Sequence, residues 1–234
     1  MREGQRGSCP RKRTLSSGRD LFNQLARIGK GLSHGNRLEL LELLAQRECS
    51  VDDLADVAGL SVANTSQHLK QLRQAGLVTS RKEGQRVFYR INSEDVLSLL
   101  TALRSVAQHN LAETQQLIQN YLNHRDALEP VARHDLLARV RNGLVDVLDV
   151  RPPEEFSAGH IPGAINVPLK TLESRLADLD PEHEIVAYCR GPHCILAFDA
   201  VALLRQEGFT AFRLEDGFPE WQHAGLPVET SPDQ

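Results

Sequence analysis

Apolar residues recur at helical spacing from Asp20, where Leu21, Leu25 and Ile28 share one face, until Gly29, Gly31 and Gly35 interrupt the run. A second helical stretch carries Leu38, Leu41, Leu43 and Leu44. Ser50 then opens a short helix. Its hydroxyl can cap the first turn, Asp53 stands three positions on, Leu54, Ala55 and Ala58 form the inner face, and Gly59 ends it. Ser61 offers the cap of another helix, predicted to run to about Gly76 with Val62, Leu69 and Leu72 pointing inwards. Two helices across a tight turn with glycine make a helix-turn-helix. The segment Leu77–Ile91 holds two β-prone runs around a charged turn with Gly84, the pattern of a hairpin. From Ser93, another capping residue, a long amphipathic helix is predicted to about His124, with Val96, Leu99, Leu100, Leu103, Val106, Leu111, Leu117 and Leu122 apolar. That is more apolar surface than one small domain covers, so the helix is expected to pack against a second subunit.

The pattern breaks around Asp126–Pro130, and strand and helix signals then alternate. Leu144–Val150 and Ile185–Tyr188 read as strands, Ile195–Gln206 as a strong helix, and Ala211–Leu214 as a short strand. Such alternation argues for a mainly parallel, buried sheet flanked by helices. The expected divisions are a flexible basic arm over 1–19, a winged-helix domain over 20–124, a linker over 125–133 and an α/β domain over 134–231.

Composition narrows the classes. The 234 residues, 41% hydrophobic and 25% charged, suit two small globular domains. No apolar run approaches the roughly 20 residues that cross a bilayer, so no membrane partner is expected. Arg2, Arg6, Arg11, Lys12 and Arg13 precede no apolar core, so no secretory signal is read. Four cysteines do not make a disulfide framework; they point to a reducing, cytoplasmic setting and to thiols kept for chemistry.

Charge divides the chain more sharply than its net value of -4. Met1–Arg90 carries +7 and Ile91–Gln234 carries -11. A basic first part suggests a polyanion partner. In a winged helix the second helix of the motif enters the major groove. Here its polar positions are Asn64, Thr65, Gln67, His68 and Lys70, with Arg73 a turn further. Asn and Gln suit adenine edges, Lys and Arg suit guanine or phosphate, and Arg81, Lys82 and Arg86 in the hairpin suit phosphate or the minor groove. His68 reads equally as a half-buried packing histidine.

Leu32-Ser33-His34-Gly35-Asn36-Arg37-Leu38-Glu39-Leu40-Leu41, Leu60-Ser61, Ser66-Gln67-His68-Leu69-Lys70-Gln71-Leu72, Ala75-Gly76-Leu77-Val78 and Gly84-Gln85-Arg86-Val87-Phe88-Tyr89 resemble the ArsR family of bacterial repressors. The resemblance covers about Asp20–Leu122 and implies a homodimer on palindromic double-stranded operator DNA that leaves when an inducer arrives. Members that sense arsenite or cadmium carry paired cysteines near the start of the first helix of the motif, where this chain has Cys49 followed by Ser50 and Val51. One thiolate does not chelate a soft ion. Asp95 is followed by Val96 and Leu97 rather than by the histidine of the zinc-sensing pair, although His109 and Glu113 stand one turn apart. No metal is therefore expected. Cys9 in the arm could restore a dithiol with Cys49 as a redox-sensing pair; an inert packing role for Cys49 fits as well.

A strand at Ile185–Tyr188 leads into Cys189-Arg190-Gly191-Pro192-His193-Cys194, and a helix starts at once. Inward loop N–H groups and a helix N-terminus favour a thiolate or an anionic sulfur species on it, and Arg190 adds positive charge. With this loop, Leu148-Asp149-Val150-Arg151-Pro152-Pro153-Glu154-Glu155-Phe156, Gly159-His160-Ile161-Pro162-Gly163-Ala164, Gly217-Phe218-Pro219-Glu220-Trp221 and Ala224-Gly225-Leu226-Pro227-Val228 resemble the rhodanese domain over about Leu136–Thr230. The resemblance implies a rhodanese fold and a persulfide on Cys189 that is passed to a second nucleophile. It gives Asp149 and Arg151 an architectural or electrostatic role. Thiosulfate-using members often place a cationic or hydroxyl residue where this chain has Cys194; phosphatase-like members end a longer loop in Arg, where this chain has Ile195. A phosphate or arsenate dianion would lack its bidentate clamp. Cys194 is either a thiol that attacks the Cys189 persulfide or a buried spectator at the helix start.

Together the halves read as a repressor answering a sulfane-sulfur donor such as a persulfide, polysulfide or thiosulfate, with no cofactor. Two rival readings stand beside it: a rhodanese-type sulfurtransferase acting through Cys189 with an autoregulatory DNA-binding domain, and a thiolate metal sensor.

Overall fold

The computed structural model describes residues 13–116, 130–141, 143, 145–192 and 194–231. The chain forms two compact units, one of Met1–Leu41 with Ser50–Asn92, the other of Glu42–Cys49 with Ser93–Gln234.

The first unit begins with α1 (Arg13–Leu32) and most of α2 (Gly35–Leu44), followed by α3 (Val51–Ala58) and α4 (Val62–Gln74). Ser50 caps α3 in a full capping box with Asp53, and Gly59 closes it at φ 64°, a left-handed conformation that glycine adopts without strain. Ser61 accepts from the Asn64 N–H at the start of α4. The hairpin pairs β2 (Val78–Glu83) with β3 (Arg86–Ile91) in antiparallel register, Arg81 opposite Phe88 and Glu83 opposite Arg86. A short β1 (Cys49–Ser50) completes the sheet order β1-β3-β2. Leu40, Leu41, Leu54, Ala55, Leu69, Leu72, Leu77 and Val78 are all at most 2% exposed and form the core.

Several expectations are corrected here. α1 already runs from Arg13, so residues 13–19 belong to a helix rather than to an arm, and Gly29 and Gly31 lie inside it. Gly31 is not a breaker. A Cβ there would fall 2.8 Å from both Ala75 Cβ and Leu77 Cδ1, so glycine lets α1 approach the end of α4. Val62 is 48% exposed rather than inward, because it occupies the first turn of α4, ahead of the buried stripe Thr65, Leu69 and Leu72.

In the second unit, α5 (Glu94–Asn110) starts at Ser93, which makes no side-chain cap bond. It ends at Asn110, with Leu111 in extended conformation, and residues 112–116 are helical again, so the expected single helix is broken at Leu111. His109 and Asn110 turn their side chains back onto the Ser105 and Val106 carbonyls, a competition that weakens the helix end. Leu117 and Leu122 lie outside the described residues. Val96 and Leu100 are buried, whereas Leu99, Leu103, Val106 and Leu111 are exposed.

The rest of this unit is an α/β fold. β4 (Val145–Asp149), β5 (Ile165–Asn166), β6 (Glu184–Tyr188) and β7 (Ala211–Arg213) form a parallel sheet of order β5-β4-β6-β7. Around it lie α6 (Arg133–Arg141), α7 (Pro153–Ala158), α8 (Leu169–Leu172), a 3-10 turn (Glu173–Asp178), α9 (Ile195–Gln206) and α10 (Phe218–His223). β6 is buried throughout from Ile185, and its side chains alternate between two cores. Ile185 and Ala187 join Leu148, Val150, Val201 and Leu204. Val186 and Tyr188 join Val147, Leu136, Phe218 and Trp221. Folded structure begins ahead of the expected boundary at 134, since Val131 bridges to Leu214 and is 4% exposed. No helix among the described residues is long and apolar enough to cross a membrane.

Candidate functional site

The thiol loop follows from the sheet. Asp149 and Tyr188 are register partners at the C-terminal ends of β4 and β6, the edge where parallel α/β sheets hold their ligands. Cys189 comes next, 1% exposed, and Cys194 occupies the N-cap position of the twelve-residue α9. Cys189 and Cys194 are joined as a disulfide with their Cα atoms 6.2 Å apart, inside the range such bonds span.

Four successive loop carbonyls are engaged. The Phe218 N–H donates to Cys189 O at 2.9 Å, Gln46 Nε2 to Arg190 O at 3.1 Å, the Cys194 N–H to Gly191 O at 3.1 Å, and Arg213 Nη1 to Pro192 O at 3.2 Å. The backbone of Gly217 closes the other side: a Cβ at that position would lie 2.2 Å from Gly191 N and 2.5 Å from Arg190 C. The Gly217 N–H in turn donates to Glu220 at 3.1 Å.

Beneath the loop, Arg151 and Asp149 are both wholly buried and paired through Nη2 at 2.6 Å and Nε at 3.0 Å. The Arg151 N–H also donates to Asp149, Nη2 to Gly159 O at 2.7 Å, and Nη1 to Gln46 Oε1 at 3.1 Å. Its guanidinium lies 4.3 Å from the centroid of Phe218. Burial beside Asp149 pushes the Tyr188 phenol up, so it stays protonated, and its oxygen accepts from the Ile161 N–H.

Arg190 corrects the sequence reading. Its guanidinium turns onto Glu155 of α7, bidentate at 2.6 and 3.0 Å, so its charge is neutralised there instead of being turned to the sulfur atoms. Glu155 is 6% exposed, and a buried carboxylate needs such a partner. Sequence reasoning does not reach Gln46 and Glu155, because nothing local ties them to the loop. Cys49 is a buried thiol that donates to Arg47 O at 3.6 Å. Cys9 and His193 lie outside the described residues.

On α4, Asn64, Gln67, Lys70 and Arg73 form one exposed row, and Arg73 donates to Ser80 of the hairpin at 3.0 Å. Lys82 and Arg86 are exposed; Arg81 pairs with Glu83 and stacks on Phe88. Thr65 and His68 are the correction: at 0% and 7% exposure they face inwards, on the same side as Leu69 and Leu72. The His68 ring lies 4.6 Å from that of His34. Burial first, then His34 and Arg37, hold the His68 imidazole below its ordinary range. Folding therefore favours the neutral ring, whereas the unfolded chain takes a proton near pH 6.5. This part of stability is present above about pH 6.5 and is lost as pH falls. Thermal melting of the wild type should therefore drop more steeply below that pH than melting of His68→Gln; parallel curves would refute the assignment.

One chain thus combines a winged helix with an exposed polar and basic row on α4 and a cysteine loop at the end of a parallel sheet. Residues 34–80 match the bacterial regulatory proteins of the arsR family and residues 132–224 match the rhodanese-like domain. The chain is 44% identical over 209 residues to the HTH-type transcriptional regulator Rv0324 of Mycobacterium tuberculosis, covering 89% of this chain and 92% of that one. It is 30% identical over 83 residues to a sulfurtransferase of Allochromatium vinosum, 35% of this chain and 76% of that one. A solved homodimeric winged helix-turn-helix domain from Mycobacterium bovis is 37% identical, with a TM-score of 0.39 over 46% of this chain and 95% of that one. The chain belongs to the ArsR family of transcriptional regulators and carries a rhodanese domain.

Proposed function

We propose that this regulator is a homodimeric repressor that releases its operator when Cys189 takes up sulfane sulfur. The observation that carries the reading is the placement of Cys189, at the end of a central strand and directly before a loop that opens α9. The Cys189 thiolate attacks the outer sulfur of a persulfide, polysulfide or thiosulfate. A new S–S bond forms as the donor's breaks, and the bonding pair leaves with the thiol, shorter polysulfide or sulfite. Asp149 and Arg151 fix the floor of the loop, while Arg190 and Glu155 fix its flank. Asn64, Gln67, Lys70 and Arg73 read DNA, with Arg81, Lys82 and Arg86 on the backbone. Uncovered Leu21, Phe22 and Leu25 on α1, and Leu99, Leu103 and Val106 on α5, support a second copy as partner.

Coupling requires that loaded and unloaded loops favour conformations of different DNA affinity. Operator binding measured with and without inorganic polysulfide, for wild type and Cys189→Ser, tests this. Weaker binding of the treated wild type alone is expected; four equal affinities would end the proposal.

A further inference from the structure

The Cys189–Cys194 pair bears on where sulfur goes once Cys189 is loaded. Cys194 is half-buried and lies at the far end of the loop that joins β6 to α9. It meets Cys189 with β6, α9 and all four loop carbonyl contacts in place. No secondary structure is unwound to bring the two sulfurs together. The N-cap position adds the positive end of a twelve-residue helix to Cys194, which favours its thiolate. Cys49 is buried elsewhere and bonded to its own turn, so among the described residues Cys194 is the thiol that meets Cys189.

We infer that Cys194 is the resolving nucleophile of the loop. The inference rests on the reading of Cys189 as a sulfane-sulfur acceptor and adds the step after loading. The Cys194 thiolate, its proton given to solvent, attacks Sγ of the Cys189 persulfide. The Cys194–Cys189 bond forms, the bond from Cys189 to the outer sulfur breaks, and that sulfur leaves with the bonding pair as hydrosulfide. The outer sulfur is reduced and the Cys194 sulfur oxidised. The product is the disulfide present here, and a small-molecule or protein dithiol returns it to two thiols by exchange, becoming a disulfide itself. Sulfur exposure is in this way stored as an intraloop disulfide, and an outside acceptor has to compete with a nucleophile already in place.

The full chain, reduced and freed of reductant without oxygen, is treated with inorganic polysulfide, then excess donor is removed; sulfide released afterwards is measured and the loop peptide is weighed. Wild type should release about one sulfide per chain and leave a loop peptide short of two hydrogens. Cys194→Ser and Cys194→Ala should hold one added sulfur on Cys189 and release sulfide at background level, and their melting curves show whether they fold. A wild type that keeps its persulfide, or variants that release sulfide as it does, overturn the role of Cys194 while the loading of Cys189 stands. Absence of added or lost sulfur in every protein overturns both.

Discussion

Asp149→Ala should cost the α/β part of the chain about 3–5 kcal/mol, the usual loss when one partner of a buried ion pair is removed. Both side chains are wholly buried, and Asp149 takes three contacts from the Arg151 guanidinium besides one from its backbone N–H. Without the carboxylate, the guanidinium keeps Gly159 O and Gln46 Oε1 as acceptors, together with the Phe218 face, but the remaining opposite charge is the weaker influence of Glu155, which is already paired with Arg190. Folded domains have margins of about 5–15 kcal/mol, so the loss decides whether this one stays folded. The sole tryptophan, Trp221, is 1% exposed in the same core as Phe218, and its fluorescence reports the transition in denaturant. Asp149→Asn should fall between, since the amide keeps an acceptor. A midpoint for Asp149→Ala equal to that of the wild type would refute this account.

Gly217→Ala should abolish sulfur uptake at Cys189. The added methyl would meet backbone atoms of Gly191 and Arg190 at 2.2–2.5 Å, and neither belongs to a side chain that can swing aside. Ordinary overpacking costs about 1–3 kcal/mol; here the least costly escape is displacement of the 189–194 loop from its donors. Gly29→Ala is the matching control. Its Cβ would meet nothing within 4 Å, and alanine in mid-helix is worth about 1 kcal/mol over glycine. Persulfide trapping on the two variants separates a steric effect in the loop from a general one. Loading of Gly217→Ala at the wild-type level would show that the close approach is dispensable.

The parts of the fold that can be read from the chain are those whose pattern is local. Ile195–Gln206 is expected as a helix at the bounds it has, because an unbroken run of apolar and helix-forming residues comes after a Gly-Pro loop. β6 is expected within one residue, because a strand buried on both faces is apolar at every position. The errors lie where burial overrides residue type. Thr65 and His68 are polar and lie in a helix with a polar outer face, yet the period of Leu69 and Leu72 carries them inwards. Gly31 suggests a helix end until the neighbouring Ala75 explains it. In the thiol site, Cys189, Cys194, Asp149 and Arg151 are close in sequence to recognisable loops and strand ends. The partners that neutralise and fix Arg190 stand 35 and 144 residues away, and no periodicity links residues across such separations.

The fastened carbonyls of the 189–194 loop have a kinetic meaning. Donors from Gln46, Arg213 and Phe218 clasp the main chain of the loop with the two sulfurs joined, so a dithiol that attacks the bond meets a loop already held in place. Reopening of that bond is then expected to follow the concentration of the attacking dithiol, and the change reaches DNA affinity only as far as the oxidised and reduced loops favour different conformations.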